Sequence, residues 1–217
     1  MRKLQYGLMF MIVMLAAACS FHQVDGSGNV TEESRAVSGF TSVQLNGSGN
    51  MEIEQTGTDS LTIAADDNLL PLLTSEVKGS ELVLDVRRFT NLNPTKKIVY
   101  KITVKDLKGI SIAGSGTASA RGIETDRLTI SVAGQGEITT EGQARTQDIN
   151  IACQGDYHAQ KLKTKETSIS IAGSGKSLVA ASDKLAVNIV GEGSIDYVGD
   201  PAITQNIVGS GSVRKQQ

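Results

Sequence analysis

The sequence predicts an all-β, single-stranded parallel β-helix: a solenoid with irregular N-terminal rungs. Two observations predict it. A seven-residue pattern recurs every 18 to 20 residues through the second half of the chain, and a fixed period in that range is the signature of stacked supersecondary units. Gly supplies 23 of the 217 residues while Tyr and Phe supply four each and Trp none, so the core must be built without large aromatic layers. With 39% apolar and 20% charged residues the chain has enough material to fold. The balance of 21 basic against 23 acidic residues argues against a nucleic-acid partner.

Residues 1–18 read as a signal peptide. Arg2 and Lys3 form a positive start and Leu8 to Ala18 an apolar stretch, too short to span about 30 Å of hydrocarbon as a helix. Leu15-Ala-Ala-Ala-Cys19 is similar to a bacterial lipobox, with Ala16 where the commonest form has Leu. It marks Cys19 as the lipid-attachment residue, and Ser20 after it points to the outer membrane. An ordinary signal peptide cleaved near Ala18 would leave Cys19 incidental. Residues 19–38 read as a polar, lipid-attached tether. With Cys19 used for lipid, Cys153 has no partner within the chain and reads as a small turn residue.

Residues 39–217 read as one solenoid domain. Its early part, to about residue 109, holds strand-like runs (Met51-Glu-Ile53, Leu61-Thr-Ile63, Leu82 to Val86, Ile98 to Val104) without the period. Asp66 to Thr74 suits one helical turn limited by Pro71, Lys78-Gly-Ser80 suits a hairpin turn, and Arg88 to Lys97 reads as a polar loop. Irregularity is expected of the end rungs of a solenoid, which must be capped. A separate N-terminal sandwich is the alternative.

The regular repeats occupy 110–213. Ile110-Ser-Ile-Ala-Gly-Ser-Gly116 is followed by copies starting at Ile130, Ile149, Ile169, Val187 and Gln205; a further copy is Val43 to Gly49, and Gly26-Ser-Gly28 reads as a degenerate one. Ile-x-Ile alternation puts both branched side chains on one face of a strand. Gly-x-Gly then supplies a corner, and a short second strand follows. Stacked at about 4.8 Å per rung, such units bury a continuous aliphatic column. An antiparallel β-sandwich also uses Gly-rich turns, but has no reason to repeat one residue class at one place six times.

The search for chemistry yields little. There are two His, at 22 and 158, without zinc-ligand spacing, and no nucleophile elbow or phosphate loop. No catalytic residue, cofactor or metal is expected. The residues following each Gly-x-Gly form a column, Thr117, Glu137, Asp156, Lys176, Ser194 and Ser212. In it Glu137 and Asp156 would lie about 5 Å apart, a carboxylate pair able to bind Ca2+ or act on polysaccharide. They are the surface-site candidates; an exposed mixed-charge column is the plainer reading. The outward Ser/Asn column reads as a hydrogen-bonding ladder or a glycan-contact strip.

Phe40 to Gln55, Asp67-Asn-Leu-Leu70, Val77 to Leu84 and the Ile-x-Ile-Ala-Gly-Ser-Gly rungs together resemble the head-GIN domain family of auto-transporter adhesins, over about residues 39–198. The resemblance implies a right-handed β-helix, often on a Bacteroidetes lipoprotein, and no catalytic residues. The expectation is a non-enzymatic, adhesin-like cell-envelope lipoprotein, held to the membrane by its N-terminal lipid and binding a glycan or protein. A polysaccharide-acting enzyme or an envelope-stress scaffold are the alternatives.

Overall fold

The computed structural model of the chain describes residues 22–216; the signal peptide and Cys19 lie outside the described residues. Strand follows strand: β1 (His22–Asp25), β2 (Val30–Arg35), β3 (Ser42–Gly47), β4 (Asn50–Gln55) and β5 (Ser60–Asp66). A single 3-10 turn, Leu70–Leu72, contains Pro71 and leads into β6 (Leu73–Lys78) and β7 (Glu81–Val86), which form the expected hairpin. Next come β8 (Thr90–Asn93), β9 (Val99–Val104) and β10 (Gly109–Gly114). The long strands β11 (Thr117–Gly134), β12 (Glu137–Cys153), β13 (Asp156–Gly173) and β14 (Lys176–Gly191) each run through a coil, and β15 (Ser194–Val198), β16 (Ala202–Gly209) and β17 (Ser212–Lys215) finish it.

The coils stack as a parallel β-solenoid. One face runs β7, β3, β10, then the C-terminal parts of β11 to β14, then β16. The opposite face runs β9, β4, the N-terminal parts of β11 to β14, then β15 and β17. The repeat alignment holds residue for residue: Val43, Ile110, Ile130, Ile149, Ile169 and Val187 are register partners in turn, as are Leu45, Ile112, Val132, Ile151, Ile171 and Ile189. All twelve are buried, and burial of such side chains contributes about 1.5–3 kcal/mol each.

The distant copy at Val43 is therefore a true rung. It is inserted between β7 and β10, so the early residues belong to the same solenoid and not to a separate sandwich. Below it the stack is closed by antiparallel strands: β6 on β7, and β5 then β2 on β9. Arg35 of β2 seals this end, its guanidinium donating to the carbonyls of Leu73 (2.7 Å) and Leu70 (2.8 Å).

The two glycines of each corner have different tasks. Gly134 has φ of 129°, where a side chain is strained. Gly136 lacks that conformation, but a Cβ there would lie 2.8 Å from Ile112 Cγ2, so it is required by packing. The corners are stitched rung to rung: the N–H of Gln135 donates to Gly114 O (2.9 Å) and that of Glu137 to Gly116 O (3.1 Å).

Four expectations need correction. The stretch read as a tether carries β1 and β2, because β2 supplies the backbone partner that the edge of β5 requires. Within Arg88 to Lys97, read as a loop, β8 pairs in parallel with β1. Gly26-Ser-Gly28 is no corner: it is a loop held by Asp66, whose carboxylate accepts from Gly28 N–H (2.8 Å), Thr95 N–H (3.0 Å) and Thr95 Oγ1 (2.6 Å). The core is also not purely aliphatic. Tyr157 is fully buried between register partners Ile138 and Ser177, its hydroxyl bonded to Thr140 (2.7 Å) and Gln147. The small Ser177 offsets the bulk of the ring.

Candidate binding groove

The column after the corners stands as Thr117, Glu137, Asp156, Lys176, Ser194 and Ser212, each paired with the next. Glu137 and Asp156 thus face outward on neighbouring rungs. His158 Nε2 lies 3.6 Å from Glu137 Oε1, and Lys176 is the register partner of Asp156. The depression at Glu137, about 280 Å³, is lined by Asn50, Glu52, Thr117, Ser119 and Thr139 among others, and Asp156 does not line it. The two carboxylates therefore share a charged ladder with Lys176 but not a cleft. Among the described residues no three His, Cys, Asp or Glu are grouped to hold a metal ion. The Ser/Asn column also stacks, and its last members bond directly, Asn206 Nδ2 to Asn188 Oδ1 at 3.0 Å.

A concavity larger than that at Glu137 lies elsewhere, on the third side of the coil between the two faces. It is about 960 Å³ and crosses five successive coils at 124–126, 143–145, 163–165, 180–182 and 198–200. The central residues of the first four segments, Thr125, Ala144, Thr164 and Ala181, point inward and are register partners in turn; their backbone is the floor. The residues on either side point outward and form two walls. One wall is Glu124, Gln143, Lys163, Ala180 and Val198; the other is Asp126, Arg145, Lys165, Ser182 and Asp200. Strand geometry sets the walls about 6.5 Å apart at their base and the groove about 19 Å long.

Repeat length shapes this groove. The coil holding Leu162 and Lys163 spans 20 residues and the next two 18 each. The shortening falls on this side: Ala159 pairs with Val179 and Lys163 with Ala180, so Gln160, Lys161 and Leu162 have no counterpart in the next coil. Beyond Lys163 and Lys165 the walls carry only the short side chains of Ala180 and Ser182.

Most wall charges are engaged. Arg145 Nε pairs with Asp126 Oδ1 at 3.4 Å, Gln143 Nε2 donates to Glu124 Oε1 at 3.4 Å, and Asp200 pairs with Lys215. Lys163 and Lys165, one on each wall of the middle coil, are exposed and form no ion pair among the described residues. Sequence reading missed this groove because its residues lie between the repeated motifs, where no heptad of residues recurs. The varying spacing of 20, 19, 20, 18 and 18 was the available signal.

Comparison with known proteins agrees with the fold. The family described as "Putative auto-transporter adhesin, head GIN domain" matches residues 39–201. An adhesin-type crystal structure from Bacteroides fragilis, described as a putative adhesin, aligns with 24% identity and a TM-score of 0.73, over 89% of this chain and 100% of that one. A second, from Parabacteroides distasonis and described as a putative lipid binding protein, aligns with 28% identity and a TM-score of 0.61, over 90% and 100%. A putative adhesin from Parabacteroides merdae aligns with 21% identity and a TM-score of 0.55, again over 90% and 100%. The first and third likenesses bear on fold alone. No curated protein matches.

Proposed function

The chain belongs to the head GIN domain family of auto-transporter adhesins, and from that premise we propose that it is a non-catalytic, adhesin-like binding module of the bacterial cell envelope. One observation carries the reading: a groove crosses five coils along the stack axis. Such a groove suits an extended ligand, a glycan or a protein segment, because each coil offers the next wall positions one step further on. Its lining holds no His, Cys or Tyr; of its three acidic residues Asp126 and Asp200 are tied to Arg145 and Lys215, and Glu124 accepts from Gln143. That arrangement favours binding over acid–base chemistry.

The module is anchored by lipid on Cys19 and carried at the outer membrane. The lipobox-like Leu15 to Cys19 supports this, and several acyl chains on one residue anchor firmly at about 0.8 kcal/mol per buried CH2. Fractionation and acyl labelling test it: Cys19→Ser should release the protein from the membrane, and a variant that stays acylated would refute the anchor. The same Cys19→Ser chain, which keeps every described residue, is the reagent for an array of glycans and matrix proteins. Retention of a subset is expected; a blank array would overturn the binding reading. A second reading, lipid binding, draws on the Parabacteroides distasonis relative and on the apolar wall at Ala180 and Val198. Neutral and anionic vesicles belong on the array for that reason.

A further inference from the structure

We infer that the groove takes an acidic glycan, with a carboxylate or sulfate group seated between Lys163 and Lys165; this rests on the reading of the groove as the binding site. The two lysines sit at i and i+2 of one strand, both outward, with the inward Thr164 between them. Their backbone positions are about 6.5 Å apart, so both flexible side chains reach a single anion lying on the floor. Thr164 keeps the floor flat and neutral there: its hydroxyl donates to Ala180 O at 2.7 Å and meets Thr167 Oγ1 at 2.7 Å.

The surrounding charges leave this pair as the focus. On the preceding coil Arg145 is held by Asp126, and on the last coil Asp200 is held by Lys215. Glu124, two coils from Lys163 on its own wall, accepts from Gln143. A ligand moving into the middle of the groove therefore meets two unpaired cations side by side, flanked by Gln143, Ala180 and Ser182 and by the Arg145–Asp126 ion pair. Two ammonium groups converging on one oxyanion give charge-assisted bonds of about twice the strength of neutral ones.

The rest of the groove selects a sugar chain over a peptide. The backbone of the floor is spent on coil-to-coil pairing, as in Ala144 with Thr164 and Thr164 with Ala181, so a peptide laid along the axis finds no ladder to extend. Outward Gln143 before the lysines and Ser182 after them offer side-chain partners for hydroxyls. The coil step of about 4.8 Å is close to the length of one sugar residue, so successive residues meet successive coils. No aromatic ring lines the groove. Neutral sugars, which depend on ring stacking, are poorly served there, and the affinity has to come from charge.

The test measures Kd of the Cys19→Ser chain for polygalacturonate and its methyl ester, and for dextran sulfate and dextran. The first pair reads carboxylate and the second sulfate, each against its own uncharged backbone. At least one acidic polymer should bind, its neutral partner about tenfold or more weaker, with affinity falling steeply with salt. Lys163→Gln with Lys165→Gln should weaken acidic binding about tenfold or more and flatten the salt dependence. Lys105→Gln, away from the groove, should change neither. Equal binding of acidic and neutral partners, no binding of either acidic polymer, or an unaffected double variant would overturn the inference. Ser182→Trp, an exposed position that obstructs the groove, separates the two levels of the reading. If it abolishes binding of neutral array ligands while the lysine variants do nothing, the groove stands and its acidic ligand falls. If it leaves every array ligand bound as before, the groove falls as well.

Discussion

Cys153→Gly is expected to stabilise the chain, and Gly134→Ala to destabilise it. The two residues are register partners in the same corner column, so the pair isolates what one side chain does at this bend. Cys153 holds φ of 80°, a left-handed conformation that costs a residue with a Cβ about 1–2 kcal/mol. The side chain is exposed, so removing it forfeits little burial. Against the relief stands the greater chain entropy that Gly loses on folding, about 0.5–1 kcal/mol. The net expectation is a gain of about 0.5–1 kcal/mol. At Gly134 φ is 129°, and a Cβ would lie 2.4 Å from the carbonyl oxygen of Gly114. That oxygen already accepts the N–H of Gln135 at 2.9 Å and has no free direction to retreat. Strain and clash together should cost about 3 kcal/mol or more. Urea unfolding followed by circular dichroism measures both, with the slope checked for constancy so that the midpoints compare stabilities. A Cys153→Gly chain clearly less stable than its parent, or a Gly134→Ala chain as stable, would refute the argument that corner geometry demands glycine.

Other consequences follow from the capped end and from the buried tyrosine. Arg35→Ala strips two carbonyls, those of Leu70 and Leu73, of their donor and should cost about 2 kcal/mol; hydrogen exchange should show β2, β5 and β6 opening first. The Thr95 hydroxyl above all holds the Asp66 carboxyl below its usual 3.8, and the Ser27 hydroxyl does the same for Asp67. A carboxylate with a depressed native pKa contributes stability above its unfolded value that is lost as pH falls through the native one. Amides of 22–29 and 90–95 should therefore lose protection below about pH 4, before those of the regular coils, and simultaneous loss throughout would contradict this. Burial raises the Tyr157 hydroxyl pKa far above its ordinary value, so that group stays neutral and hydrogen-bonded. Tyr157→Phe leaves Thr140 and Gln147 short of a partner and should cost about 1–3 kcal/mol by calorimetry, without a cavity to collapse.

The regular half of the fold could be read from the chain because each repeat sees almost the same surroundings. Ile130 stands between Ile110 and Ile149, so a local pattern and a spatial column are the same statement. The column through Glu137 and Asp156 was legible for that reason. Where neighbours in space are distant in sequence, the correspondence fails. Nothing in Val30 to Arg35 announces that β2 closes the edge of β5, and Gly26-Ser-Gly28 imitates a corner while serving Asp66. The groove escaped for a third reason: its shape is set by how many residues each coil spends between motifs, as at Gln160 to Leu162, and not by which residues recur.

The placement of β3 between β7 and β10 also sets a timetable for the nascent chain. β3 leaves the ribosome before either of its neighbours exists: the first is residues 81–86 and the second residues 109–114. At about 5–20 residues per second, synthesis from Gly47 takes roughly 2–8 s to reach Val86 and roughly 3–13 s to reach Gly114, so that strand has two open edges for the first interval and one until the second ends. Coils β11 to β14 wait only for a partner 18 to 20 residues away. Assembly that favours short closures therefore starts in the middle of the stack and spreads outward. The amino-terminal coil, first to emerge, is among the last to be enclosed, and a chaperone acting on this protein has its longest engagement there.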